Sequence, residues 1–313
     1  VIVAFIDAYR DRFGVEPICT VLSEHGMPIA PSTYHAAKAK PVSDADLADA
    51  YAAHTLRELW IAHRRVYGVR KLWHEATRQG LDLGRDQVGR LMAITGISGV
   101  VRGEHRIRTT EADPAGIDRH PDHVQRNWNS PTGTDQLWVA DFTYVWTLAG
   151  FVYVAFVVDV FSRRILGWTV SRTRTAELVT TVLRMAVSLR GRGETRFTST
   201  GLLHHSDAGS QYTAIAFTTE LREAGITGSI GSVGDALDNA LMESAIGLFK
   251  TELIDRHPAT WRDRLEVEAE TASWVAWFNH DRLHSSIGYV PPVEFETNYH
   301  ATRTTADLEP EAA

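Results

Sequence analysis

The 313-residue chain contains a single cysteine, Cys19, which excludes an intramolecular disulfide and any multi-cysteine zinc finger. It also lacks a long apolar run. The longest, Phe151 to Val158, spans eight residues, against the roughly 20 that a membrane-spanning helix needs, so no membrane partner is expected. The opening VIVAFIDAYRDRF has no methionine, no basic leader and no small-residue cleavage site, which gives the expectation of a cytoplasmic protein without a signal peptide. Positive charge is not in excess either: 32 Lys and Arg face 39 Asp and Glu, a formal net charge of -7. This balance argues against a simple basic coat for nucleic acid, unless charge is segregated along the chain.

It is segregated. Residues 57–108 hold 11 Lys or Arg against 5 Asp or Glu, whereas residues 136–313 hold 15 against 22. Residues 1–45 read as a small helical unit in which Ile2, Phe5, Ile6, Tyr9 and Phe13 share one face and Ile18, Val21 and Leu22 repeat the pattern. Pro31-Ser32-Thr33-Tyr34 is the capped start of a third helix, where a helix-turn-helix would carry its recognition helix; a plain three-helix packing unit accounts for the same pattern. In residues 46–102, Val69, Leu72, Trp73 and Ala76 form one stripe and Val88, Leu91 and Met92 another, separated at Gly80. Two short helices result, and the pattern leaves Arg70, Lys71, Arg85, Gln87 and Arg90 on outer faces where they can meet DNA phosphates or base edges.

Residues 103–135 lose periodicity and gather Pro, Gly, Asp and Asn, the composition of a linker. Residues 136–297 then give three strands with short connections (137–146, 151–160, 164–171), followed by alternating helices and short strands. This order predicts an α/β domain with a mixed sheet and flanking helices, preceded by all-α segments. The polar, acidic residues 298–313 read as a mobile tail.

Three acids stand out. Asp141 interrupts an apolar strand, Asp207 follows the fourth strand, and Glu243 sits early in a helix. A buried carboxylate in such a strand is costly unless paired or bound to a cation. Singly, each acid reads equally well as a helix cap or a solvated charge. Together, with 35 residues between Asp207 and Glu243, they match a pattern.

That pattern resembles the D,D(35)E motif of the retroviral-integrase core, an RNase H-like fold. WVADFTYV, VVDVFSRRILGW, HHSDAGSQYT, SVGDALDNALMESAIGLFKTEL and WFNHDRLHSSIGYVPPVEF are similar to successive signatures of insertion-sequence transposases, specifically the second-frame (OrfB-type) products of the IS3-like group. The resemblance covers about residues 50–297. It implies a DNA transposase that cleaves and rejoins strands at the ends of an insertion sequence, acting on terminal repeats and target DNA as a homo-oligomer. It further implies two Mg2+ or Mn2+ ions, with Asp141 bridging both and Asp207 and Glu243 completing one side each. Oxygen ligands suit these cations. Two other readings are a non-catalytic DNA-binding protein or decayed remnant, which would need a lost carboxylate, and an RNase H-like nuclease without joining activity.

Lys250, two helical turns beyond Glu243 and the only lysine of the acidic half, is positioned to hold a phosphate beside the cleaved bond, with a solvated lysine as the competing account. By the same resemblance, Asn239 touches DNA or positions the helix, with capping as its competitor. Gln211 and Tyr212 are read as lining the site, with core packing an equal competitor for Tyr212. His280 and His284 have the i, i+4 spacing of a zinc-binding helix, but the glutamate of HExxH is absent. Trp168, Trp274 and Trp277 are expected in the core. The absence of a heptad run, together with the family resemblance, gives the expectation that an upstream-frame product, separate or fused by frameshifting, supplies a further dimer contact.

Overall fold

The computed structural model describes residues 1–39, 42–101, 121–124, 127–128, 130–192, 197–207, 209–231, 239–257 and 259–308. The first half of the expected linker and the loop 232–238 lie outside these. The described residues form two compact units, Val1–Thr55 and Leu56–Ala313.

In the first unit, α1 (Ile2–Phe13), α2 (Val15–Glu24) and α3 (Pro31–Ala39) close over Ile6, Ile18, Cys19, Leu22 and Tyr34. Cys19 therefore serves as a small core side chain. The Tyr34 hydroxyl donates to Asp7 Oδ1 at 2.8 Å, so the ring is buried while its polar end is satisfied. Helix α4 (Asp44–Ala62) runs across the division between the units.

In the second unit, α5 (Val69–Arg78) and α6 (Arg85–Thr95) pack through Leu72, Ala76, Val88, Leu91 and Met92. Gly96, at φ 66°, ends α6 in the left-handed conformation that other residues adopt reluctantly. Beyond the linker lie β1 (Leu137–Thr147), β2 (Gly150–Asp159), β3 (Ile165–Ser171), α7 (Ala176–Gly191), β4 (Leu203–Ser206), α8 (Ile215–Glu223), β5 (Thr227–Ile230), α9 (Ala240–Glu252), α10 (Arg264–His280) and α11 (Pro292–Leu308). The sheet order is β3-β2-β1-β4-β5; the first three strands are antiparallel, and β4 and β5 join parallel to β1.

Alternation along β1 sorts its side chains between two faces. Trp138 and Ala140 join Ala155 and Val157 under α7 and α8. On the other face, Phe156, the register partner of Asp141, packs edge-on against Phe249 of α9 and Trp274 of α10. Burying rings of this size supplies much of the force that holds α9 to the sheet. The expected tail is helical as far as Leu308. Pro292 starts that helix, and Phe295 and Tyr299, one turn apart, both meet Phe161.

Candidate active site

The parallel register between β1 and β4 ends at Ala140 opposite Ser206. Asp141, still within β1, and Asp207, just past the end of β4, come next, so their backbones lie side by side at about the inter-strand spacing, about 4.8 Å. Glu243 lies in the first turn of α9. Asn239 precedes that helix and donates through Nδ2 to the Ala140 carbonyl at 3.1 Å, pinning the start of α9 to the residue before Asp141.

Burial drives the Asp141 carboxyl well above the usual carboxylate range, and the negative charges of Asp207 and Glu243 push it further; the Phe142 N–H, donating to Oδ1 at 2.7 Å, opposes them. Asp207 is raised too, chiefly by burial and against the Gly209 N–H at 3.2 Å. A Cβ on Gly209 would stand 3.1 Å from Asp207 Oδ1 and 3.3 Å from Gln211 Oε1, so glycine allows the turn to close on the acid. Among the described residues, neither aspartate nor Glu243 forms an ion pair with Lys or Arg. Nor do three His, Cys, Asp or Glu side chains already stand together as a metal-binding group among those residues.

Tyr212 is buried beside the two aspartates, with its ring near Phe142 and Phe217; burial and both carboxylates keep the phenol protonated. Gln211 donates through Nε2 to the Arg174 carbonyl at 3.0 Å. Lys250 lies on α9 with Nζ 4.9 Å from the centre of the Tyr144 ring, its pKa lowered by burial. Asn239 makes no side-chain cap to its helix.

The helical segment 56–101 shows different placements. Arg70, Arg85 and Arg90 are exposed, and Arg85 pairs with Asp86 at 2.9 Å. Lys71, expected outward, turns in over the Tyr67 ring at 5.4 Å, where burial lowers it to about 7. The reason is the docking of α5. Tyr67 Oη accepts from Leu283 N at 2.7 Å, Arg78 grips Glu294 through two bonds, and His74 stacks on Tyr289 with ring centroids 3.7 Å apart. His284 belongs to this seam: it is buried edge-on against Phe278 beside Arg282, while His280 is exposed and bonds the Ala276 carbonyl. The two histidines face different surroundings. Trp274 and Trp277 are buried; Trp168 is only partly so.

Two buried ionic groups were not foreseen from sequence. Glu252, at the end of α9, holds Arg282 at 2.5 Å. Glu296 of α11 receives two bonds from Arg190 at 2.6 and 2.8 Å, one from Arg164 and one from the Ser162 hydroxyl. The only available hints were an acid one residue after Phe295 and an arginine inside the apolar stripe of α7, both of which look like solvated helix charges.

A sheet of three antiparallel and two parallel strands, with one acid within the central strand, a second just past its parallel neighbour and a third on a later helix, defines an RNase H-like polynucleotidyl transferase. Two integrase core domain families match residues 131–236 and 224–292, and an HTH-like domain family matches residues 46–105. A Mycobacterium tuberculosis protein assigned as the transposase of insertion sequence element IS986/IS6110 is 47% identical over 277 residues, covering 88% of this chain and 98% of that protein. The Shigella sonnei transposase for IS629 is 41% identical over 311 residues, covering 97% and 98%. The catalytic core of BIV integrase is 23% identical, covers 54% of this chain and 99% of that one, and has a TM-score of 0.38. The chain belongs to the insertion-sequence transposases, with the HTH-like segment and integrase core of the IS3-group second-frame products. It is thus a DNA-binding phosphoryl-transfer enzyme, and no described helix is long and apolar enough to cross a membrane.

Proposed function

We propose that Asp141, Asp207 and Glu243 hold Mg2+ or Mn2+, as two ions, and that this centre nicks and joins DNA strands at the ends of the insertion sequence that encodes the chain. The observation carrying this reading is two carboxyls side by side on neighbouring parallel strands, both raised by burial and Asp141 further by the charges of Asp207 and Glu243, with no Lys or Arg among the described residues paired to either. Acids with no paired Lys or Arg favour a cation taken from solution, and an all-oxygen donor set suits a hard divalent cation. When bound, the cations would activate the attacking oxygen and stabilise the leaving 3' oxygen of an in-line displacement. Asn239 fixes the height of α9 against β1 and so sets where Glu243 stands. Lys250 places a positive charge two turns along that helix for the adjoining phosphate. Water as nucleophile leaves a free 3' hydroxyl, and that hydroxyl attacks a phosphodiester of the target, breaking one P–O bond as it forms another. Homo-oligomers on DNA and the upstream-frame product, free or fused, are the proposed protein partners.

Incubating the chain with labelled ends of its element and Mg2+ tests the reading: both nicked and joined products are expected. Nicks without joined strands would make it a nuclease, and no product with either Mg2+ or Mn2+ would remove the centre.

End recognition is placed on the exposed Arg70, Arg85 and Arg90. Alanine at each should weaken binding and flatten the dependence of log K on log salt by about one for each phosphate no longer neutralised. Lys71→Met should leave the salt slope unchanged and act on stability instead. A lysine held at about 7 when folded, against its usual 10.5, binds fewer protons folded than unfolded, so stability rises with pH from 7 upward. Lys71→Met should abolish that rise between about pH 7 and 9 in a denaturant titration. A shallower salt slope in Lys71→Met would return Lys71 to the DNA interface.

A further inference from the structure

The β1–β2 hairpin exposes large rings for which the catalytic centre gives no account. Trp146 is 56% exposed, Leu148 73% and Phe151 49%. They are not loosely held. Leu148 N donates to the Trp261 carbonyl at 2.8 Å, Ala149 N to that of Arg262 at 3.2 Å, and Thr147 Oγ1 to that of Gly150 at 2.7 Å. Gly150, at φ 102°, takes the conformation this short turn requires. The rings form a continuous strip on one face: Trp146 to Phe151 with centroids 4.8 Å apart, Phe151 to Tyr144 at 5.3 Å, and the Lys250 ammonium 4.9 Å over Tyr144. Tyr144 and Trp146 stand three and five residues past Asp141 in the same strand, so the strip lies on the sheet face opposite the Asp141 side chain, and Lys250 of α9 reaches it.

A rigid strip of exposed aromatics beginning at an ammonium fits bases joined by phosphates better than it fits an apolar protein face. Every base has a π face, and stacking on an aromatic side chain is worth about 1–3 kcal/mol per base. The hairpin hydrogen bonds hold the rings in place before binding, so little ordering is lost when they are used. Resting on the site reading above, we infer that Tyr144, Phe151 and Trp146 form a stacking platform for unpaired bases of the DNA on which the catalytic centre acts, with Lys250 on a phosphate beside them.

The test uses the full chain in EDTA, so that its outcome does not depend on metal binding by the three acids. The probe is a single-stranded oligonucleotide about a dozen nucleotides long, carrying 2-aminopurine at successive positions and a target phosphodiester step at a fixed place. Binding should quench the fluorophore most over a window of about three neighbouring positions. Trp146→Ala/Phe151→Ala should bind about tenfold more weakly, as expected for loss of about 1.4 kcal/mol of stacking, and lose the quench. Trp146→Phe should restore most of both, which separates stacking from simple damage to the hairpin. Unchanged affinity and quench in the double alanine variant would overturn the platform. So would sedimentation showing that the double variant dissolves a dimer while oligonucleotide binding persists, because the strip would then be a contact between copies of the chain. Survival of cleavage in Asp141→Asn would sink the metal centre and leave these EDTA measurements standing.

Discussion

Asp141→Asn, Asp207→Asn and Glu243→Gln are each expected to reduce strand cleavage and joining by at least about a thousandfold, roughly 4 kcal/mol of transition-state stabilisation, while end binding in EDTA is retained. Each change removes one negative charge and keeps nearly the same shape. The metal-free protein should respond in the opposite sense. The Asp141 carboxyl is raised well above 3.8, so the folded state holds a proton that the unfolded state has released. Stability of the wild type without metal therefore falls as pH rises above about 4, through the window up to the folded pKa. Asp141→Asn should lack that fall and melt a few degrees higher than the wild type near neutral pH, since about 1 kcal/mol shifts Tm by roughly 2–4 °C in a unit of this size. Addition of Mg2+ should raise the wild-type Tm and leave that of the variant unchanged. Substantial cleavage by any one purified variant, or an equal Mg2+ shift in Asp141→Asn, would take that residue out of the site.

These opposite signs matter because a merely structural aspartate would show one sign only. A carboxylate that stabilises the fold through an ion pair loses stability when changed to Asn. A carboxylate held against repulsion for a cation gains stability in the metal-free state and loses the ability to respond to metal. The absence of a paired Lys or Arg beside Asp141 and Asp207, among the described residues, is why the second branch is the one proposed.

The strands, and the neighbouring positions of Asp141 and Asp207, were largely legible in the sequence because their signals are local or fixed by spacing. WVADFTYV and FVYVAFVVDV alternate and carry β-branched and aromatic residues, and they form β1 and β2 paired from Trp138–Asp159 to Thr147–Gly150. Asp141 was conspicuous as a charge in that apolar run, and the register that sets Asp207 beside it follows from a parallel neighbour one crossover later. Lys71 shows what sequence pattern could not decide. Its neighbours Arg70 and Leu72 point out and in, and helical periodicity alone leaves position 71 on the boundary between faces. Only the packing of α5 against residues 281–294 turns its stem inward over Tyr67. Helix α11 escaped for a related reason. Its polar composition resembles a solvated tail, and its helicity rests on Phe295 and Tyr299 meeting Phe161, a residue far upstream in the sequence.

Glu296→Ala is expected to be the most destabilising single change outside the core, because Glu296 is where four distant elements meet. Its carboxylate accepts from Arg190 of α7, from Arg164 before β3 and from Ser162 after β2, while Arg190 Nε also reaches Asp135 at 2.7 Å just before β1. Burial alone would raise the Glu296 pKa, yet the two guanidinium groups hold it below the ordinary value. Asp159, in the same cluster, goes the other way, to about 6, because burial outweighs its more distant contact with Arg190 at 3.6 Å. Alanine at 296 would leave Arg190 buried against carboxylates that satisfy only part of its fork. Removing one partner of a buried ion pair costs about 3–5 kcal/mol, mostly through the charge left behind. At roughly 2–4 °C per kcal/mol, the Tm should fall by about 10 °C. Glu296→Gln keeps the hydrogen-bond acceptor but not the charge and should fall between alanine and wild type. Cleavage by the surviving folded fraction should be nearly normal at low temperature, since Glu296 touches none of the three acids. Calorimetry of both variants decides the matter: a loss below about 1 kcal/mol in Glu296→Ala would mean that the cluster is no stronger than a surface ion pair, and that α11 is held to the sheet by Phe295 and Tyr299 alone.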